Sequence, residues 1–99
     1  MTVTGAGGAI ITHLGRTERF QRDYGKLSVE LRGKVQAKLR DLLKNPRPPG
    51  LRFEKLKGYS RPDIYTIHIT GNYKLSFLVN GATAILRRVA DHDEIDRAP

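Results

Sequence analysis

Cysteine is absent from the 99 residues, which removes disulfides, thiolate nucleophiles and cysteine-ligated zinc together. Long hydrophobic runs are missing too, since no apolar stretch approaches the roughly 18 residues of a membrane-spanning helix. The N-terminus has neither the cationic start nor the apolar core of a secretory leader, so a cytoplasmic location is expected. No Walker A sequence, dinucleotide fingerprint or nucleophile elbow occurs, and no cofactor is expected. The glycines at positions 5, 7 and 8 follow no strand and make no phosphate cradle. Histidines stand only at positions 13, 68 and 92, without the close spacing of a transition-metal site, and Asp91, Asp93 and Glu94 offer at most a weak hard-cation site. An aromatic pair of the kind that stacks bases on an RNA-recognition sheet is also lacking.

Acidic residues are scarce: 10 Asp and Glu face 18 Lys and Arg, a formal net charge of +8. The excess is uneven. Residues 1–60 hold 13 basic and 5 acidic side chains, whereas residues 61–99 hold 5 of each. Between positions 32 and 57, Arg32, Lys34, Lys38, Arg40, Lys44, Arg47, Arg52, Lys55 and Lys57 stand against Asp41 and Glu54 alone. A solvated helix face explains part of this, but a pI of about 10.2 points to a polyanionic partner, with nucleic acid first.

With 38% hydrophobic and 28% charged residues, the chain has the composition of one globular domain. Residues 1–9, rich in Gly, Thr and Ala, are expected to be a flexible tail, and residues 10–99 a single domain. Ile10 and Ile11, with Thr12, His13 and Leu14, predict a first strand that Gly15 ends. Thr17 caps a helix whose apolar positions are Phe20, Tyr24 and Leu27; Ser28 caps a second with Leu31, Val35, Leu39 and Leu42, ended by Asn45-Pro46. The two make a helical hairpin. After the stiff Arg47-Pro48-Pro49-Gly50 turn the period falls to two.

Leu51, Phe53 and Leu56 suggest a short edge strand and residues 58–62 a loop. Residues 63–69 alternate Tyr65, Ile67 and Ile69 with Ile64, Thr66 and His68. Residues 73–79 alternate Tyr73, Leu75, Phe77 and Val79 with Lys74, Ser76 and Leu78. Asn80-Gly81 is the strongest hairpin signal and leads to a last, well-covered strand over residues 82–89. The expected fold is therefore α+β: an N-terminal strand, a two-helix hairpin and a three- to four-stranded antiparallel meander, with the helices on one face.

The other face would then display Thr66, His68, Lys74 and Ser76, with His92 arriving beyond the last strand. A lone polar residue on a strand is ordinarily solvated surface, and His92 among three carboxylates is equally an acidic-cluster imidazole. Together, however, these residues supply what metal-independent RNA cleavage needs. Attack by a 2′-hydroxyl requires a base for its proton, a cation for the crowded phosphorane and an acid for the leaving 5′-oxygen. His68 or His92 can titrate near neutrality, and Lys74 can hold phosphate charge.

The element order, Phe20-x-x-x-Tyr24, Asn45-Pro46, Leu56-Lys57-Gly58, Tyr65-Thr66-Ile67-His68-Ile69, Tyr73-Lys74-Leu75-Ser76-Phe77 and Arg88-x-x-x-His92-Asp93-Glu94-Ile95 together resemble the RelE/ParE toxin superfamily over residues 10–97. The terminal histidine is most similar to the YafQ, HigB and YoeB-like branches. The resemblance implies a type II toxin–antitoxin toxin that cuts messenger RNA on the ribosome without metal and is silenced in a hetero-oligomer with a cognate antitoxin. It places His92 at the C-terminal acid/base position, Lys74 where most members have arginine, His68 at a basic position of the preceding strand, and Lys55, Lys57 and Arg88 at phosphate-holding positions. Two residues depart from the pattern. Lys74 keeps the charge but not the bidentate fork, and Asp96 replaces an aromatic that contacts the base. A gyrase-poisoning ParE-like toxin and an inactive antitoxin-binding relative are the alternatives.

Overall fold

The computed structural model describes residues 9–99; the tail expected over residues 1–9 lies, apart from Ala9, outside them. Two hydroxyl caps start the helices where the sequence predicts. Thr17 Oγ1 accepts from Phe20 N at 3.1 Å at the head of α1, Glu18–Gly25. Ser28 Oγ accepts from Leu31 N at 3.2 Å at the head of α2, Val29–Leu42. Each cap satisfies a donor that the first helical turn leaves without a partner. Leu27, predicted on the first helical face, falls beyond α1 and packs partly buried against the core. The second helix stops at Leu42, short of Asn45-Pro46.

Five strands form one sheet in the order β1-β5-β4-β3-β2: β1 His13–Arg16, β2 Glu54–Lys55, β3 Tyr65–His68, β4 Tyr73–Asn80 and β5 Thr83–Asp91. The last four make the expected antiparallel meander, and β1 joins β5 in parallel, so the sheet is mixed. The first strand differs from its predicted position. Gly15 does not end it but sits inside it, paired with Ile85, while Ile11 is a buried core residue ahead of the strand. The parallel partner, far away in sequence, sets that register, and local propensity could not reveal it. The β4–β5 hairpin closes through Gly81-Ala82 between the paired Asn80 and Thr83. Gly81 has φ +63 and Ala82 does not share the positive φ, which is the type II′ pattern that glycine accommodates without a Cβ clash.

One face of the sheet carries the main core, with Tyr65, Ile67, Leu75, Phe77, Leu86 and Val89 against Phe20 of α1 and Val35, Leu39 and Leu42 of α2. Burying a residue such as Leu75 or Phe77, both fully enclosed, contributes roughly 1.5–3 kcal/mol. The edge of β5 is protected in two stages. β1 covers it as far as Leu86; there Thr17 takes over, its Oγ1 and N donating to Leu86 O at 2.9 and 3.2 Å. Further on, Asp23 of α1 accepts from Val89 N at 3.2 Å.

The opposite face is not open, as the sequence suggested. A third helix, α3, His92–Arg97, packs on β4 and β5 and buries Ile95 completely. Thr66 and Ser76, expected as exposed polar residues, are 1% and 0% exposed. The start of α3 is written in Asp91-x-x-Glu94, since Asp91 Oδ1 accepts from Glu94 N at 3.0 Å as an N-cap. Six residues are too few for a helical period to show.

Candidate active site

The β3–β4 register sets His68 directly opposite Lys74. On the other side of β4, the ladder continues past the end of β5: Tyr73 pairs with Asp91, and His92 N donates to Asn72 O at 2.8 Å. Three neighbouring strands thus carry His68, Lys74 and His92 to the same end of the sheet, and each is held there by main-chain hydrogen bonding. Arg52 and Glu54 complete the group. Glu54 pairs with Thr66, and Arg52, two residues ahead of it, lies near enough for its charge to act on His68.

The electrostatics of the group are mutual. Burial lowers the His68 pKa from its ordinary value, and the positive charges of Arg52, Lys74 and His92 lower it further, against a smaller opposing pull from Glu54. His68 is therefore kept neutral at neutral pH, with a nitrogen lone pair able to accept a proton. Lys74 has a side chain 14% exposed, and its Nζ donates to Asp96 Oδ1 of α3 at 3.0 Å. Asp96, at 45% exposure, faces water on its other side. His92 is half-exposed, with Nδ1 3.2 Å from Asp93 Oδ1. This arrangement provides a neutral imidazole, an ammonium and a second, solvent-facing imidazole at one end of the sheet.

The other predicted residues lie elsewhere. Lys55 pairs with Tyr65 at the end of β3 remote from His68, and its Nζ sits 3.4 Å from Asp63 Oδ1 in an exposed pair worth little. Lys57 is exposed in the turn that follows β2. Both line the outer edge of the sheet and stand apart from the His68 cluster. Arg88 is buried, its side chain 7% exposed, and bound to carboxylates. Its Nε and Nη2 reach Asp23 at 2.9 and 3.2 Å, Nη2 also reaches Glu94 Oε2 at 2.6 Å, and Nη1 donates to Ala98 O at 3.1 Å. These bonds raise the Arg88 pKa against the effect of burial. Arg88 thereby ties α1, β5 and α3 together. The three acids of the C-terminal run are likewise divided among separate partners, and no group of three or more metal-ligating side chains occurs among the described residues.

Sequence reasoning missed Arg52 and Glu54 as members of the cluster. Arg52 follows a 3-10 turn, Pro49–Leu51, in a left-handed conformation (φ 55) ahead of β2, so no strand period in the sequence relates it to His68.

No protein-family model and no curated protein sequence matches the chain. Solved structures do. The RelB–RelE antitoxin–toxin complex from Methanococcus jannaschii contains a chain 28% identical, with 86% of this chain and 99% of that one covered and a TM-score of 0.62. The intact Escherichia coli RelBE toxin–antitoxin complex matches at 26% identity over 81% of this chain and 95% of that one, with a TM-score of 0.62. The E. coli DinJ–YafQ toxin–antitoxin complex shares the fold alone, at 14% identity, 86% and 98% coverage and a TM-score of 0.70. The mixed sheet, the two leading helices and these likenesses together identify the RelE/ParE toxin superfamily fold in this protein.

Proposed function

We propose that the protein is the toxin of a type II toxin–antitoxin pair and a metal-independent endoribonuclease that cuts messenger RNA on the ribosome. The observation that carries this reading is the meeting of His68, Lys74 and His92 at one end of the sheet. In the proposed reaction His68, kept neutral, takes the proton of the 2′-hydroxyl as its oxygen attacks the adjacent phosphorus. Lys74 stabilises the charge on the phosphorane oxygens. His92, facing solvent, gives its proton to the departing 5′-oxygen. The products are a 2′,3′-cyclic phosphate and a free 5′-hydroxyl, so no water or metal is consumed in the bond-breaking step.

Lys55 and Lys57, on the outer edge, would engage message or ribosomal RNA away from the reacting phosphate. The basic surface of residues 32–57 suits both the ribosome and an acidic antitoxin segment. Purified protein translating a defined message in EDTA should leave discrete 3′ ends within codons, and Lys74→Ala and His92→Ala should remove them while remaining folded. Cutting at wild-type rate in both variants would overturn the assignment. Intact message with stabilised gyrase–DNA breaks would establish the ParE-like activity instead.

The Lys74–Asp96 pair favours a second reading, in which the protein binds its antitoxin without cutting RNA, because the cation is already neutralised. Asp96→Asn separates the two readings. A cleaving toxin should gain activity from that change, whereas a non-cutting relative should stay silent.

A further inference from the structure

Away from the His68 cluster, around residues 98 and 99, lies a cavity of about 340 Å³ lined by Thr17, Arg19, Arg87, Arg88, Ala98 and Pro99. Its charges are unequal. Asp23 and Glu94 answer Arg88, but neither Arg19 nor Arg87 forms an ion pair with a carboxylate side chain among the described residues. Arg87 donates one Nη2 bond to the Pro99 oxygen at 3.3 Å. Its Nε is fully buried and has no hydrogen-bond partner. A buried guanidinium donor without an acceptor is unusual in a folded protein; with Nε enclosed, the outer Nη groups of Arg87 and the exposed Arg19 guanidinium are the donors that line the cavity, and such groups suit phosphate oxygens.

The position of the cavity suggests what occupies it. Arg87 is the extra residue of a bulge between the Ser76–Arg88 and Phe77–Leu86 pairs, and its Nη2 bond to Pro99, just past α3, sets its side chain on the α3 face, which also carries Lys74. Arg87 also lines a second cavity with Ile64 and Arg61, and Ile64 alternates onto the face of Thr66 and His68. Arg87 and the His68 cluster therefore share a face, at opposite ends of α3. Four residues of β5 lie between Arg87 and His92, five steps or roughly 16 Å at strand rise, a span of a few nucleotides. We infer that Arg19 and Arg87 form a second phosphate-binding subsite, which holds a backbone phosphate of the same RNA strand a few nucleotides from the scissile bond. This inference rests on the endoribonuclease reading.

Uncleavable 2′-deoxy oligonucleotides of increasing length, titrated at fixed low salt, test it. Affinity for the wild-type protein should rise in a step once the strand can span both sites. Arg19→Gln/Arg87→Gln should lose that step, by about tenfold or more in Kd, while affinity for the shortest strands is unchanged. Arg19→Gln alone alters only an exposed side chain, so it keeps the fold and should lose part of the step. Arg87→Lys, which keeps charge without the fork, should recover little. A step of equal size in the wild type and the double variant would overturn the subsite. Should no strand of any length bind the wild type, RNA as the ligand and the endoribonuclease reading would fall together. Should Lys74→Ala abolish short-strand binding while no length step occurs, only the subsite would fall.

Discussion

Removing the carboxylate of Asp96 should strengthen phosphate binding at Lys74 while hardly altering stability. The Asp96 carboxylate lies 3.0 Å from Lys74 Nζ and is 45% exposed, against 14% for the Lys74 side chain; with its acidic partner half in water, the pair contributes about 1 kcal/mol to folding. A phosphate bound to the same ammonium would bring its charge to roughly 5 Å from that carboxylate, and at an effective dielectric of about 20–80 the repulsion is about 1–3 kcal/mol. Asp96→Asn keeps the shape of the side chain and removes the charge, so Kd for an uncleavable oligonucleotide should fall about 5- to 150-fold. Screening shrinks the gain as salt rises, and the measurement belongs at low ionic strength with a salt series beside it. Single-turnover cleavage of a ribosome-bound message should accelerate in parallel, because the freed ammonium is then available to the phosphorane. A folded Asp96→Asn protein that binds no tighter than the wild type at any salt would refute the reasoning, since it would mean that Lys74 does not receive the phosphate.

Three further outcomes are expected. Asp23→Ala takes two bonds from the buried Arg88 guanidinium and one from Val89 N, which should destabilise the fold by about 3–5 kcal/mol, a large share of the roughly 5–15 kcal/mol that holds a domain of this size together; a urea midpoint shift below about 1 kcal/mol-equivalent would contradict it. Ser76→Ala removes a fully buried hydroxyl that has no hydrogen-bond partner, so its melting temperature should be equal to or above that of the wild type, and a clear fall would show that Oγ has an acceptor or donor in solution. The lowered pKa of His68 means that the unfolded chain binds the proton more readily, so this residue's contribution is complete above pH about 6.5 and is lost as pH falls through the folded value; in urea titrations across this window, His68→Gln should flatten that part of the profile, and unchanged slopes would exclude His68 as its source.

Much of the fold was legible because it is local. Thr17 and Ser28 announce their helices, Asn80-Gly81 marks the hairpin to within one residue, and the alternation of Tyr65, Ile67, Leu75 and Phe77 identifies the buried face. What was misread depends on distant partners. Gly15 continues a strand because β5 offers it a parallel ladder some 70 positions later. Thr66 and Ser76 read as surface because nothing in their own strands indicates that this face is covered, as it is on β4 by the short α3.

The placement of the candidate site residues was legible to the same extent. His68 and Lys74 lie opposite one another through a hairpin register that sequence can suggest, and His92 follows from the end of the next strand. The part that sequence could not assign is which cations are available. Arg88, Arg87 and Lys74 have the same formal charge, yet Asp23 and Glu94 hold the first, no carboxylate side chain among the described residues answers the second, and Asp96 holds the third. Two of those three states are set by α3, through Glu94 and Asp96. A displacement of α3 would therefore remove one carboxylate from the structural arginine and another from the candidate catalytic lysine in a single motion. Such a displacement would loosen the β5 anchor only in part, because Asp23, on α1, would still hold Arg88 while Lys74 lost its carboxylate.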